Sequence, residues 1–213
     1  MLLTRYFPSR FEARQGGDEG NHIIGRPVVI GHETDLGFCR EVIEPGALDK
    51  TNLSDVLLFT NHDTSKLPLA RSRNNNAHST MTLIVDDDGL LIDATLDTER
   101  NAESMALYSA VERGDMTGMS FMFTVDGEEW EDEETDSPLC HINAIGSIIE
   151  VSAVNFPAYP QTEISVRDKE ALESVQRSLE SARAAKALDS ALEQQQKADL
   201  ERAKLYAKLG VIR

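Results

Sequence analysis

The feature that most constrains the fold is an abrupt change of residue composition near Arg167 in this 213-residue chain. Between Pro27 and about Pro160, short segments rich in β-branched and aromatic residues alternate with turn residues. After Arg167, alanine, leucine and charged or amide side chains dominate through Leu209, without proline and with no glycine before Gly210. The first pattern favours β-strands and the second favours a long helix. The chain is therefore predicted to have a β-rich core followed by a solvent-exposed helical tail.

The candidate strands predict an α+β fold that is mainly β, with a closed or strongly bent β-barrel as its core. The segments are VVIG, FCREVIE, DVLLFT, STMTLIVD, GLLIDATLD, MSFMFTV and AIGSIIEVSAVNF. The aspartate run that ends in Gly89 predicts a tight hairpin. One flanking helix is predicted from Thr98 to Arg113, with Thr98 as its N-cap and Gly114 as its left-handed end.

Four regions follow from these patterns: an N-terminal arm over 1–22, a core over 23–160, a linker over 161–168 and a helical tail over 169–213. The linker begins just after Pro160, where the β pattern ends. In the tail, a seam of apolar residues starts at coiled-coil spacing, but Lys186 and Asp189 interrupt it. The seam consists of Leu172, Val175, Leu179 and Ala182.

Composition excludes several classes of function. With 37 acidic and 21 basic residues, the formal charge is -16, which repels phosphate backbones and argues against a nucleic-acid partner. The two cysteines, Cys39 and Cys140, and five dispersed histidines lack the close spacing of a metal site, so no metal or other cofactor is expected. No segment matches a membrane span or a secretion signal, which predicts a cytoplasmic protein with free thiols.

Ser120 is the candidate nucleophile. A strand here would place Ser120 on the face opposite Phe121 and Phe123. The preceding Thr117 and Gly118 allow the backbone to approach a substrate closely and to offer N–H groups to an oxyanion. The structural alternative is an ordinary strand serine that is hydrogen-bonded to a neighbouring group.

His62 is the candidate general base. The apolar run 56–59 predicts a buried strand that ends at the polar residues 60–63, and polar groups at the end of a rigid strand are well placed for catalysis. A neutral imidazole there could accept a hydroxyl proton. The alternatives are a surface histidine in a turn and a metal-dependent hydrolase that uses Asn61, His62 and Asp63.

Glu150 is the candidate orienting acid. Strand alternation places it beside Ile148 and Ser152 in a strongly apolar strand, where an unpaired carboxylate would be costly to bury. If it accepted the second imidazole N–H of His62, it would fix the tautomer that the base needs. The alternatives are Asp63 as the orienting acid and a salt bridge from Glu150 to Arg40, Arg71 or Arg73.

Five segments resemble, in their order, the prohead proteases of tailed bacteriophages, and the resemblance covers roughly residues 23–167. The segments are GFCREVIEPGALD, LLFTNHDTSKLPLAR, DDDGLLIDATLD, RGDMTGMSFMF and IIEVSAVNFPAYPQT. The resemblance implies a herpesvirus-protease-like fold, related to that of the assemblin proteases, and a serine protease core over 23–160. It also implies a catalytic triad. The histidine of the N-H-D segment would be the base, the serine of the G-M-S-F segment would be the nucleophile, and the acid of the E-V-S segment would be the third member of the triad. These positions are His62, Ser120 and Glu150.

The function implied by this resemblance is serine endopeptidase activity during capsid maturation. The substrates would be the scaffolding segment of the major capsid protein, other prohead proteins and the enzyme itself, inside the prohead assembling in the host cytoplasm. Self-cleavage is expected between Ala158 and Lys169, a homo-oligomer is a further expectation, and the tail over 169–213 would be scaffold-like. The rival hypothesis is a non-enzymatic acidic scaffolding protein of the prohead, which explains the charge and the tail but not the three site residues.

Overall fold

The computed structural model describes residues 2–8, 11–16, 20–155 and 166–208, with side chains described except at 2, 6–8, 166–171 and 206–208. The predicted linker over 161–168 and the segment 158–169 proposed for self-cleavage lie largely outside these residues. In chain order the strands and helices are β1 (Leu2–Pro8), β2 (Glu12–Gln15), β3 (Asn21–Val29), β4 (Thr34–Asp35), β5 (Arg40–Ile43), β6 (Leu57–Thr60), β7 (Ala70–Arg71), β8 (Met81–Asp86), β9 (Gly89–Leu96), α1 (Ala102–Glu112), β10 (Gly118–Glu131), β11 (Leu139–Val154) and α2 (Val166–Lys208).

The described strands form two sheets. The seven-stranded sheet has the order β1-β10-β11-β5-β4, with β6 pairing with both β11 and β7, and the four-stranded sheet has the order β2-β3-β9-β8. The prediction of a mainly β core followed by a long helix is confirmed. The predicted closed barrel is not formed in the described part of the chain, because no strand pairing joins one sheet to the other.

Apolar side chains from both sheets form one core. The predicted alternation of β10 is confirmed at Phe121 and Phe123, whose buried rings stack with 4.5 Å between their centroids. Cys39 and Cys140 are buried free thiols of this core, and burial raises the pKa of Cys39 to about 12. Because β10 turns its phenylalanines inward, the opposite face of the strand is available for polar groups.

The connections between elements follow the sequence pattern, with one correction. Gly89 has a φ of +131° in the predicted β8–β9 hairpin, and an added Cβ would collide with the Val28 carbonyl oxygen. Helix α1 begins later than predicted, because the side chain of Asn101 accepts the N–H groups of Glu103 and Ser104. The predicted cap, Thr98, accepts instead a hydrogen bond of 2.9 Å from Asn21. Gly114 has the predicted left-handed conformation after the helix, with a φ of +76°.

Helix α2 packs on the core only through its first half. Val175 and Leu179 from the predicted apolar seam are buried in the core, and Ser178 accepts a hydrogen bond of 3.2 Å from the Trp130 indole. Beyond Lys186 the described side chains are exposed, and Leu188 is 63% exposed. No helix in the described ranges combines the length and apolar content that crossing a membrane requires.

His141 on β11 forms a titratable pair with Glu44, which follows β5, and the contribution of this pair to stability depends on pH. The hydrogen bond from His141 Nδ1 to Glu44 raises the pKa of His141 despite partial burial, and Glu131 adds to the rise. Because the folded pKa is raised, the pair stabilises the fold below the unfolded pKa, and this contribution is lost as pH rises through the folded pKa. We expect His141→Gln to lower the free energy of unfolding by up to about 1 kcal/mol near pH 5.5 and by less near pH 9. Urea unfolding at both pH values would measure this, and equal losses would contradict the assignment.

Candidate active site

Strand pairing brings the three candidate residues together from distant parts of the chain. Ser120 lies on β10 and Glu150 on β11, which pairs antiparallel with β10 in a register that sets Met122 opposite Glu150. His62 follows β6, which pairs parallel with the other side of β11. Because β11 lies between β10 and β6, the end of β6 delivers His62 to the face that carries Ser120 and Glu150.

A continuous chain of hydrogen bonds connects the three side chains. Nε2 of His62 lies 2.7 Å from Oγ of Ser120, and Nδ1 of His62 is hydrogen-bonded to Oε1 of Glu150. Glu150 is 1% exposed and Ser120 is 2% exposed, whereas the His62 side chain is 18% exposed. A carboxylate that accepts the Nδ1 proton leaves Nε2 free to receive the serine proton. This arrangement suits nucleophilic attack by Ser120 on a carbonyl group.

The backbone around His62 is held in a conformation that few non-glycine residues adopt. Asn61 and His62 have φ values of +51° and +57°. The N–H of Asn61 donates to the carbonyl of Ala153 at 2.9 Å, and the Asn61 side chain accepts the N–H of Asn155 at 3.1 Å. Since left-handed residues persist only where their surroundings enforce them, β11 and the residue after it fix the direction of the His62 side chain.

Ser152 is a site residue to which the sequence assigned no role. Its hydroxyl donates to Oε2 of Glu150 at 2.7 Å and accepts the backbone N–H of His62 at 3.1 Å, and the residue is fully buried. Ser152 therefore ties the acid to the backbone of the base. Strand alternation from Glu150 was the available signal, because it placed Ser152 on the same face.

The alternative orienting acid, Asp63, and the three arginines considered as partners of Glu150 each have other hydrogen-bond or ion-pair partners. Asp63 accepts hydrogen bonds from the N–H and the hydroxyl of Ser65, at 3.2 and 2.5 Å. The three arginines bind other groups: Arg40 binds Glu33, Arg71 binds Asp55, and Arg73 binds the His78 carbonyl. Within the described ranges there is no group of three or more histidine, cysteine, aspartate or glutamate side chains that could hold a metal ion.

The sequence also gave no indication of what borders Ser120 on its other side. Strand β1, within the predicted N-terminal arm, pairs with β10, and the Ser120 hydroxyl donates to the Arg5 carbonyl at 2.7 Å. The Arg5 guanidinium forms a two-point ion pair with Glu41, and both side chains are 3% exposed. Burial lowers the pKa of Arg5, but the attraction of the Glu41 carboxylate outweighs this effect, so the pKa of Arg5 lies above its ordinary value.

Comparisons with known proteins place the chain in a family. The profile of the Caudovirus prohead serine protease family matches residues 9–177, which is most of the chain. Among solved structures, the bacteriophage T4 capsid assembly protease, gp21, matches with a TM-score of 0.41 and 12% identity, covering 74% of this chain and 98% of that one. No curated protein matches. The chain belongs to the caudovirus prohead serine protease family.

Proposed function

We propose that this protein is a serine endopeptidase of capsid maturation, in which Ser120 is the nucleophile, His62 the general base and Glu150 the orienting acid. The observation that carries the proposal is the hydrogen-bonded chain from Ser120 through His62 to Glu150. Membership of the family supports the same reaction. A common fold with the herpesvirus assemblin proteases is part of the proposal.

The proposed reaction begins when Oγ of Ser120 forms a bond to the carbonyl carbon of a peptide while its proton passes to Nε2 of His62. Glu150 accepts the Nδ1 proton in a hydrogen bond and stabilises the imidazolium that forms. Backbone N–H groups near Gly118 to Ser120, or from another loop, bind the oxyanion. The imidazolium then protonates the leaving amine, and the C–N bond breaks to give an acyl-enzyme. Water, deprotonated by His62, releases the new carboxylate and restores the serine.

The proposed substrates are the scaffolding segment of the major capsid protein, other prohead proteins and the enzyme itself. The place of action is the interior of the prohead that assembles in the host cytoplasm, and a homo-oligomer is the proposed state of the enzyme. Family membership supports a capsid substrate.

Labelling with a fluorophosphonate tests the nucleophile directly. These probes phosphonylate serines that a neighbouring base activates, so we expect a single adduct on the peptide that contains Ser120 and none on Ser147, another serine of the same sheet. Tandem mass spectrometry of the digested protein would locate the adduct. A folded protein that stays unlabelled, both as wild type and after Leu3→Ala loosens strand β1, would favour the rival scaffolding function, which needs no activated serine.

Ser152→Ala tests whether this residue positions the acid and the base. The variant loses the hydrogen bond to Glu150 and leaves the His62 N–H without its acceptor. We expect kcat to fall about 10- to 100-fold with little change in KM, since the catalytic groups remain but are less well oriented. Ser152→Thr keeps the hydroxyl and should restore part of kcat. An unchanged kcat in Ser152→Ala would show that Glu150 and His62 need no such link.

Self-cleavage between Ala158 and Lys169 is tested by the intact masses of wild-type and Ser120→Ala protein. We expect the wild-type protein to lose its tail on incubation, whereas the variant keeps its full mass. Identical masses for the two proteins would remove self-cleavage from the proposal.

A further inference from the structure

Strand β1 covers the nucleophile. It pairs with β10 without a break, from Leu2 opposite Thr124 to Pro8 opposite Gly118. On the other side of β10 lies β11, which carries Glu150 and cannot leave without dismantling the site. Proteins often bind an extended peptide by adding it as a strand to the edge of a sheet. Along β10 next to Ser120, that position is occupied by β1.

The hydrogen bond from Ser120 to Arg5 competes with the contact that the proposed reaction needs. Oγ of Ser120 lies 2.7 Å from the Arg5 carbonyl oxygen and 2.7 Å from Nε2 of His62, and a serine hydroxyl has one proton to donate. While the hydroxyl donates to the Arg5 carbonyl, its proton is not directed at His62, so the Arg5 contact competes with the first step of the proposed reaction.

Arg5, the residue of β1 whose carbonyl is hydrogen-bonded to Ser120, also places a buried cation against a carboxylate. The Arg5 carbonyl is hydrogen-bonded to Oγ of Ser120, while the Arg5 side chain is held at two points by Glu41 in the core. Alternation along the strand sends this side chain to the face of Phe123, whose ring lies 5.8 Å from the guanidinium carbon. A carbonyl beside the nucleophilic serine and a basic side chain paired with a buried carboxylate also describe the residue before the cleaved bond in a protease with an acidic specificity pocket.

The extent of the family match separates β1 from the shared core. The family profile matches residues 9–177, and β1 ends at Pro8. Ser120, His62, Glu150 and Glu41 all lie within the matched range, whereas Arg5 lies outside it. Strand β1 therefore lies outside the range that the family profile matches.

We propose that β1 is a pseudosubstrate: it occupies the place of the peptide substrate beside Ser120, and its displacement allows Glu41 to bind a basic side chain of the substrate where Arg5 lies now. This inference rests on the proposed peptidase function. It names the substrate class as extended peptides with a basic residue immediately before the cleaved bond.

Loosening β1 tests the first half of the proposal. Leu3 is buried and Arg5 is paired with Glu41, so Leu3→Ala and Arg5→Gln should each weaken the strand and speed fluorophosphonate labelling of Ser120 about tenfold or more. The matched controls are Leu90→Ala, a buried leucine of the other sheet, and Arg26→Gln, which breaks the two-point pair of Arg26 with Asp86. The controls should label at the wild-type rate or more slowly.

A pair of peptides tests the second half. The probe is the sequence of residues 2–8, LLTRYFP, with a fluorophore and a quencher at its ends, and the comparison peptide has neutral citrulline in place of arginine. In Leu3→Ala protein we expect cleavage after the arginine and at least about tenfold lower kcat/KM for the citrulline peptide. Adding Glu41→Gln to this variant should remove the difference, because the neutral amide no longer favours the cation.

The outcomes distinguish failure of this proposal from failure of the peptidase function. Faster labelling in both loosened variants, with an arginine preference that Glu41 confers, would support it. If the folded variants label Ser120 no faster than wild-type protein, or cleave both peptides equally, β1 is a structural strand and the proposal is overturned while the peptidase stands. Should Arg5→Gln fail to fold, Leu3→Ala decides alone. Absence of labelling at Ser120 in every protein would overturn the proposal together with the peptidase function.

Discussion

Replacing Ser120 by alanine is expected to lower the rate of peptide cleavage by about 10⁴- to 10⁶-fold without disturbing the fold. Among the described residues, the Ser120 hydroxyl lies 2.7 Å from Nε2 of His62, where it can form the acyl bond, and an alanine fits the same buried strand position. Cleavage of a peptide substrate by purified protein, with circular dichroism as the check on folding, would measure the loss.

The matched control for this change is Ser147→Ala, which removes a hydroxyl of β11 that is hydrogen-bonded to Thr124 at 3.1 Å. We expect the control to keep its activity, since Ser147 takes no part in the proposed reaction. A Ser120→Ala protein that cleaves within tenfold of the wild-type rate would assign the nucleophile to another group or to water.

Replacing Glu150 by glutamine is expected to lower kcat by about 10³- to 10⁴-fold, with the fold intact. An amide can donate to Nδ1 as well as accept from it, so the variant allows the tautomer that carries its proton on Nε2 and cannot act as a base. The amide also stabilises the imidazolium less well than the carboxylate does. Steady-state kinetics across pH would measure the fall in kcat.

Glu44→Gln is the control for loss of a histidine–carboxylate contact. Glu44 is hydrogen-bonded to Nδ1 of His141 at 2.6 Å, outside the site. This variant should keep its kcat, because His141 takes no part in the proposed reaction. Near-normal kcat in Glu150→Gln would instead move the orienting role to Asp63 or to water.

Each of the three residues at the centre of the candidate site has a local physical signature in the sequence. Alternation along β10 turns the phenylalanines inward and therefore predicts that Ser120 lies on the opposite face of the strand. Glu150 stands out as a carboxylate in an apolar strand, which needs a partner when it is buried. His62 stands at the point where an apolar strand ends. Resemblance to a family connected the three, since no local pattern reveals that β11 lies between β10 and β6.

Other features of the site depend on contacts that are distant in sequence. Arg5 meets Glu41 and Ser120 only because β1 pairs with β10, more than 100 residues further along the chain. An arginine in a short N-terminal segment reads as solvent-exposed, because nothing nearby in sequence supplies its carboxylate. Whether the strands close into a barrel also depends on pairing between segments that are distant in sequence, so the strand pattern could not decide between a barrel and two sheets.

The start of α1 depends on a contact from another strand rather than on N-cap preference alone. Thr98 and Asn101 are both favourable N-caps, and propensity alone does not choose between them. Asn21, on β3, donates to the Thr98 hydroxyl and leaves Asn101 to cap the helix. A contact between distant parts of the chain thus sets where α1 begins.

The central claim is that Ser120 of this protein cleaves capsid proteins during assembly, and the most direct test is the intact mass of the major capsid protein in purified proheads. Proheads assembled with the wild-type protein should contain capsid protein shortened by its scaffolding segment, whereas proheads assembled with Ser120→Ala should contain the full-length precursor. Capsid protein shortened equally in both would contradict the claim.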